Sequence, residues 1–367
     1  MKIAVIAHVN YPISKPFSGG MEMFTHVLTE ALIKRGHDVT LFALPGSDPK
    51  FKLVVPPMDV FDIQADEELR ADNPGFEPGF ANNFNAHLWI MRYIQTGGFD
   101  VVHNNSLHFL PIMMADLATC PVVTTFHSPP FPALQSAVTI AGTSPANHFV
   151  AVSRYLGSTW ARYTPEFQVI HNGMDPACWT FNPAPKPKTA IWVGRICLEK
   201  GTHYAIEAAR MAGYEIEIVG TIFDQQYFDR EVAPRLGADA RFTGHLGHEE
   251  MSVAIGRAEV GLFTSTWEEP FGLVVIEMLA CGTPVVAFDG GAVPEILTED
   301  CGILVKNMDR DALAAAIPAA AKLDRSACRA RALHAFPISR MVDAYEELYA
   351  AVAVPPKPVL GGATRPV

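Results

Sequence analysis

Positive charge is scarce in this chain. Lys and Arg number 28 against 39 Asp and Glu, a net charge of −11, which is the opposite of the clustered bases that a nucleic-acid footprint needs. More than half of that charge sits in one place. Between Asp59 and Glu77 there are seven acids and one base, Arg70, so the segment is repelled by anionic lipid surfaces. Long apolar runs are missing too, and no stretch is long enough to span a bilayer. The amino terminus, MKIAVIAHVNYP, carries one Lys, a brief apolar run and no small-residue cleavage site, so it reads as a first strand rather than a secretion signal. Cysteine is sparse and scattered. Cys120, Cys178, Cys197, Cys281, Cys301 and Cys328 form no CxxC and have no His at ligand spacing, which predicts reduced, buried thiols in a soluble cytoplasmic protein rather than a zinc site. No repeat of 20 to 50 residues is present, which disfavours a solenoid.

What is abundant is core-forming residue. Apolar residues make up 49% of the chain, enough to bury large cores, and a length of 367 suits two domains rather than one. Lys2 to Ala7 is a short apolar run. A loop with Pro12, Pro16, Gly19 and Gly20 follows, then Phe24, Val27, Leu28, Ala31 and Leu32 at helical spacing, a stop at Gly36, and the strand DVTLFAL. Strand, loop, helix and strand in that order imply parallel pairing through a crossover. FDVVHNNS, PVVTTFHS, HFVAVS and FQVIHNG repeat the theme, each ending in polar or small residues. In open α/β sheets ligands bind beyond the carboxyl ends of the strands, so those endings are candidate site positions.

FNPAPKPK, Phe181 to Lys188, has three prolines and reads as a semi-rigid linker. A second α/β series follows it: TAIWVGR, YEIEIVG, ARFTGH, VGLFTS and PVVAFDGG. Met341, Val342, Tyr345, Leu348 and Tyr349 then mark an amphipathic helix, and VPPKPVLGGATRPV reads as a disordered tail.

Two segments carry chemistry. In WVGRICLEKG, Arg195 stands just past a strand and Lys200 just before a helix-opening glycine, which suits a phosphate pair, although taken alone a solvated loop is the commoner reading of such a segment. In EEPFGLVVIEMLACGTPVV, Pro270 and Gly272 form a turn, and Leu273 to Cys281 fit a helix ended by Gly282. The free N–H groups at that helix start suit an anion such as a diphosphate. Glu269 precedes the helix and Glu277 lies one turn inside it. A carboxylate only accepts, so the pair suits vicinal hydroxyls, whereas Glu268 reads as a solvated neighbour. Glu277, amid apolar residues, must either be paired or face a cleft.

EPFGLVVIE has the form E-x7-E, and with VGRICLEKG, FTGHL, HNGMD, ACGTPVVA, GGAVPEIL and SGGMEMFTHVLTEALIKRGHDVTLFA it resembles the retaining GT-B glycosyltransferases of glycosyltransferase family 4. The match spans nearly the whole chain. It implies an α/β fold of two Rossmann-like parallel-sheet domains facing each other across a cleft. Residues 1–180 would form the acceptor-side domain, 181–188 the linker and 189–337 the donor-binding domain, with a helix over 338–354 packing back on the first and 355–367 as the tail. The donor would be a nucleoside-diphosphate sugar, UDP- or GDP-linked.

The resemblance also distributes roles. Arg195 and Lys200 would bind the diphosphate, and amides near Phe271, Gly272 and Leu273 the sugar and phosphate. Glu277 would accept from the ribose and Glu269 from the sugar 3-hydroxyl. Gly19 and Gly20 would approach the diphosphate from the other domain, and Gly194, His245 and Leu246 would complete the donor site. His127, closing TTFHSP, matches a family histidine on the sugar or acceptor side; a lone strand-end histidine is otherwise a structural hydrogen-bonding residue. His103, His171 and His245 also stand at strand ends and are weaker candidates for that role, and His171 replaces the proline usual before NG.

The implied activity is hexose transfer from the nucleotide sugar to an acceptor hydroxyl with retention of anomeric configuration. No metal is expected, since the DRD at Asp309 to Asp311 opens an alanine-rich helix and reads as a cap. The acceptor is left open, with the acidic 59–77 segment favouring a soluble one. Alternatives on the same fold are a glycan phosphorylase, a nucleotide-sugar epimerase or a non-catalytic nucleotide-sugar-binding regulator. A nicotinamide oxidoreductase ranks last, because no G-x-G-x-x-G follows the first strand of either lobe.

Overall fold

The structure, a computed structural model, describes residues 1–17, 19–58, 78–164 and 166–353. The acidic 59–77 segment and the tail from 354 onward lie outside the described residues.

Two parallel sheets carry the chain. The first has seven strands in the order β3-β2-β1-β4-β5-β6-β7, with β1 Lys2–Ile6, β2 Asp38–Phe42, β3 Lys52–Val54, β4 Val101–Asn104, β5 Val122–Phe126, β6 Asn147–Ala151 and β7 Gln168–Val169. The second has six in the order β10-β9-β8-β11-β12-β13: β8 Lys186–Val193, β9 Glu215–Val219, β10 Ala240–Gly244, β11 Ala258–Phe263, β12 Val285–Phe288 and β13 Gly302–Val305. Every pairing among these strands is parallel. The central strands read as continuous apolar runs because helices cover both faces; β5 is buried along its whole length.

Strand order reverses at β1/β4 in the first sheet and at β8/β11 in the second. Such switch points open the crevices where α/β proteins hold ligands. They place His8 and Asn105 at one mouth and Gly194, Arg195 and the 264–272 loop at the other.

The linker is shorter than its prolines suggest, since Lys186 to Lys188 already belong to β8. Five of the six cysteines are buried free thiols, but Cys178 is exposed, a departure from the expected burial of all six. The last helix, Ile338–Val352, buries Met341, Val342, Tyr345, Leu348 and Tyr349. All five sit in an apolar cluster with Ile3, Val5, Leu28, Val101 and Val123 of the first lobe. A second apolar cluster joins Phe126 and Trp160 of the first lobe to Phe271, Val275 and Ile276 of the second. No helix among the described residues is long and apolar enough to cross a membrane.

Candidate active site

The second lobe supplies the cations. β8 runs into Gly194, whose carbonyl oxygen lies 1.8 Å from where a Cβ on Gly220 would stand, so the two loops run backbone to backbone. Arg195 follows, exposed, with its guanidinium 4.8 Å from the ring centre of Phe223 and no ion-pair partner among the described residues. Lys200 precedes Gly201, which has φ 62° and would put a Cβ 2.3 Å from Thr264 O. Only glycine fits there. That close approach brings Lys200 against the β11 loop, where its ammonium donates to Glu269 Oε1. Ser265 Oγ donates to the same oxygen at 2.8 Å. Lys200 thus already has a carboxylate partner, whereas Arg195 has none among the described residues.

The E-x7-E segment turns sharply at Gly272, φ 104°, and enters the helix Leu273–Ala280. Val275 N donates back to Gly272 O at 3.0 Å, while the N–H groups of Phe271, Gly272, Leu273 and Val274 have no acceptor among the described residues. A row of free donors at the positive end of a helix is a preformed anion seat. Glu277 is 8% exposed and has no hydrogen-bond or ion-pair partner among the described residues. Burial alone pushes its carboxyl up to about 7.

Glu268 is not a merely solvated neighbour. It is exposed, yet its carboxylate accepts from Gly291 N–H at 2.5 Å. Ala292 N donates to Glu269 O at 2.9 Å, and a Cβ on Gly291 would lie 2.4 Å from Glu269 N. The GGA turn is thus fastened along the E-x7-E loop. His245 is exposed after β10, without a hydrogen bond or ion pair to Arg195, Lys200 or Glu277 among the described residues, and Leu246 packs on the inter-lobe apolar cluster.

The first lobe meets this loop directly. Gly19 precedes the helix Gly20–Lys34, and a Cβ on Gly20 would come 3.1 Å from Leu273 Cδ1, so two helix starts abut at the cleft. Glu22, in the first turn, lies 2.9 Å from His8 Nε2 at the end of β1. Burial raises its carboxyl, but the His8 hydrogen bond, its own backbone N–H and the charges of His8 and Arg195 hold it below the usual range. His127 stands at the end of β5, partly exposed, with Nε2 3.1 Å from Asn105 Oδ1 and its ring 4.6 Å from Phe24. Burial first, then the nearby His103 and His8 charges, push its imidazole down to about 3, so it is neutral. Asn105 went unread in the sequence; its one signal is the polar HNNS ending of a strand at the switch point.

The other candidates have structural partners. His103 is fully buried beneath the site, against Tyr349, Thr125 and Asn105. His171 Nε2 lies 2.9 Å from Glu295 Oε2, and Glu295 also accepts from Arg154 N at 2.9 Å and Tyr155 N at 2.7 Å. That pair, with Ser153 Oγ donating to Pro270 O at 2.6 Å, ties the first lobe to the second beside the E-x7-E loop. Asp309 accepts from Ala312 N at 2.9 Å and caps the helix Arg310–Ala320.

Residues 18–177 match the model of Glycosyltransferase Family 4, and residues 179–332 match that of Glycosyl transferases group 1. The chain is similar to a phosphatidyl-myo-inositol mannosyltransferase of Mycolicibacterium smegmatis, 28% identical over 83% of this chain and 82% of that one. It also resembles a glycogen synthase of Mycobacterium tuberculosis, 34% identical over 51% of this chain, and it spans about half of that relative, 49%. Among solved structures, Anabaena HepE in complex with UDP and glucose superposes with a TM-score of 0.73 at 19% identity, covering 96% of this chain and 100% of that one. A glycosyltransferase from Rickettsia africae gives 0.76 at 18% identity, over 96% and 98%. Two doubly wound lobes, the E-x7-E loop at their junction and the two adjoining family matches make this chain a member of the GT-B glycosyltransferases of glycosyltransferase family 4.

Proposed function

We propose that the protein transfers a hexose-type sugar, with retention, from a nucleoside-diphosphate sugar to an acceptor hydroxyl. The observation that carries this is the E-x7-E loop at the switch point of the second sheet, where, among the described residues, four N–H groups and the Glu277 carboxyl have no partner and the neighbouring β8 loop carries an Arg195 without an ion pair. The N–H row and Arg195 suit the diphosphate, and Glu277 suits ribose hydroxyls. Glu269, oriented by Lys200 and Ser265, suits a sugar hydroxyl. The UDP and glucose in the HepE structure support the same class of donor here, with uridine or guanosine as the base.

In this reading the bond from the anomeric carbon to the phosphate oxygen breaks while the acceptor oxygen bonds to that carbon from the same face. The acceptor's proton passes to the departing phosphate oxygen. Developing charge on the diphosphate is met by Arg195, the helix start and the remaining donors of Lys200, so the reaction needs no metal.

Calorimetry with UDP, GDP and ADP identifies the base. Lys200→Ala and Glu277→Ala then each weaken that nucleotide by about tenfold, the loss of a charge-assisted bond. A chelator leaves transfer unchanged. Unaltered affinity in both variants removes the assignment. A requirement for free phosphate, or product formed without any acceptor, replaces the transferase by a phosphorylase or an epimerase.

A further inference from the structure

A buried chain of polar contacts runs from the last helix to the cleft. Tyr349 meets His103 Nδ1, and His103 Nε2 lies 3.0 Å from Asn105 Oδ1 and 3.0 Å from Thr125 Oγ1. Asn105 Oδ1 then lies 3.1 Å from His127 Nε2, and Thr125 Oγ1 is 3.0 Å from Tyr345 Oη. His103, Asn105, Thr125, Tyr345 and Tyr349 are all buried; His127 alone reaches the cleft.

Counting protons fixes the direction of this chain. A carbonyl oxygen only accepts, so Asn105 Oδ1 between two ring nitrogens requires a hydrogen on each. Neutral His103 has one N–H, and with that hydrogen on Nε2 its Nδ1 accepts from the Tyr349 hydroxyl. Reversing the Asn105 amide would turn His103 over. Its Nδ1–H would point at Tyr349, whose own hydrogen would be left without an acceptor, and Asn105 Oδ1 would be buried without a donor. In either orientation the outer atom of the Asn105 amide lacks a partner among the described residues; the observed one spares the Tyr349 hydrogen and is the less costly of the two.

The geometry points to Asn105 as a positioning residue that holds His127 as its Nε2–H tautomer, with Tyr349 of the last helix setting the direction through His103. His127 Nδ1, which makes no hydrogen bond among the described residues, is thereby kept as an acceptor for a substrate hydroxyl. The inference rests on the reading of His127 as the group on the sugar or acceptor side.

The test is imidazole nitrogen NMR on the whole chain, with the His127 signals assigned by their loss in His127→Gln. In the wild type His127 is expected to be neutral and protonated on Nε2. Tyr349→Phe and Asn105→Leu are expected to give mixed tautomers and to lower turnover about tenfold or more, with the donor KM within about twofold. Asn105→Asp, which keeps an acceptor oxygen, is expected to retain the Nε2–H form. Protonation of wild-type His127 on Nδ1 overturns the inference, and that measurement needs no variant to fold. So does a Tyr349→Phe protein with unchanged tautomer and turnover. A wild type with the expected tautomer and no transferase activity upholds the contact chain and overturns the reaction reading instead.

Discussion

A carboxyl shut away from water without a partner destabilises the chain that contains it, and Glu277 makes that cost depend on pH. Its ordinary value is 4.5 and burial raises it to about 7, so between those values the folded protein holds a proton that the unfolded chain releases. Folding stability therefore falls as pH rises through that window and levels off above it. Glu277→Gln should relieve the penalty: urea titration should show a gain of up to about 3 kcal/mol near pH 8 and none near pH 4. An equal gain at both would remove burial as the cause. The same substitution should weaken nucleotide binding, separating a residue kept for its ligand from one kept for the fold. Glu269, Arg195 and Lys200 stood out in the sequence because each sits beside a turn signal near the end of an apolar run, and Glu277 because it interrupts one. Asn105 and the tie between His171 and Glu295 were not, since the latter joins residues 124 positions apart and no local spacing records it.

Elements were legible in proportion to their length and regularity. The helix Ile338–Val352 repeats its apolar residues at helical spacing, and all five predicted positions are buried. β3 and β13, of 3 and 4 residues, passed unread; so short a run carries no period, and strands as short as β4, β7 and β12 were read only within longer β-rich stretches that close in polar or small residues. Arg325 escaped for another reason: its partners are mostly backbone carbonyls, which no side-chain pattern reports. Its buried guanidinium donates to Asn182 O at 2.7 Å, Gly256 O at 2.9 Å, Ala258 O at 3.0 Å and Thr283 Oγ1 at 3.0 Å, and burial lowers its pKa. One side chain thus clamps the linker, the end of the helix His248–Arg257 and the start of β11. Arg325→Met should leave those carbonyls without donors and cost about 3 kcal/mol or more, read as an earlier melting of the second lobe. A melting curve matching the wild type would show that water replaces the guanidinium.

At the scale of the whole molecule, the lobes are held together by the apolar cluster from Trp160 to Ile276, by Glu295 and by Ser153, so the E-x7-E loop leans partly on the first lobe. The two-lobed α/β architecture could be read from the strand and helix series; the fastening of one lobe to the other could not, because it depends on packing. The last helix adds a return crossing. Arg35 pairs with Asp343 at 2.6 Å and Glu346 at 2.8 Å, and His37 with Glu346 at 2.7 Å, above the five buried side chains. Burial of those five is worth about 10 kcal/mol, comparable with the about 5–15 kcal/mol that holds a whole domain together. A chain ended after Pro337 should therefore show by calorimetry an intact transition for the second lobe and none for the first. Two intact transitions would show that the helix merely decorates its neighbour. During synthesis the first lobe emerges early but waits, with part of its core missing, until the second lobe and the helix that follows it have left the ribosome. Any stall within the second lobe leaves that earlier-made half unfinished and open to mispairing.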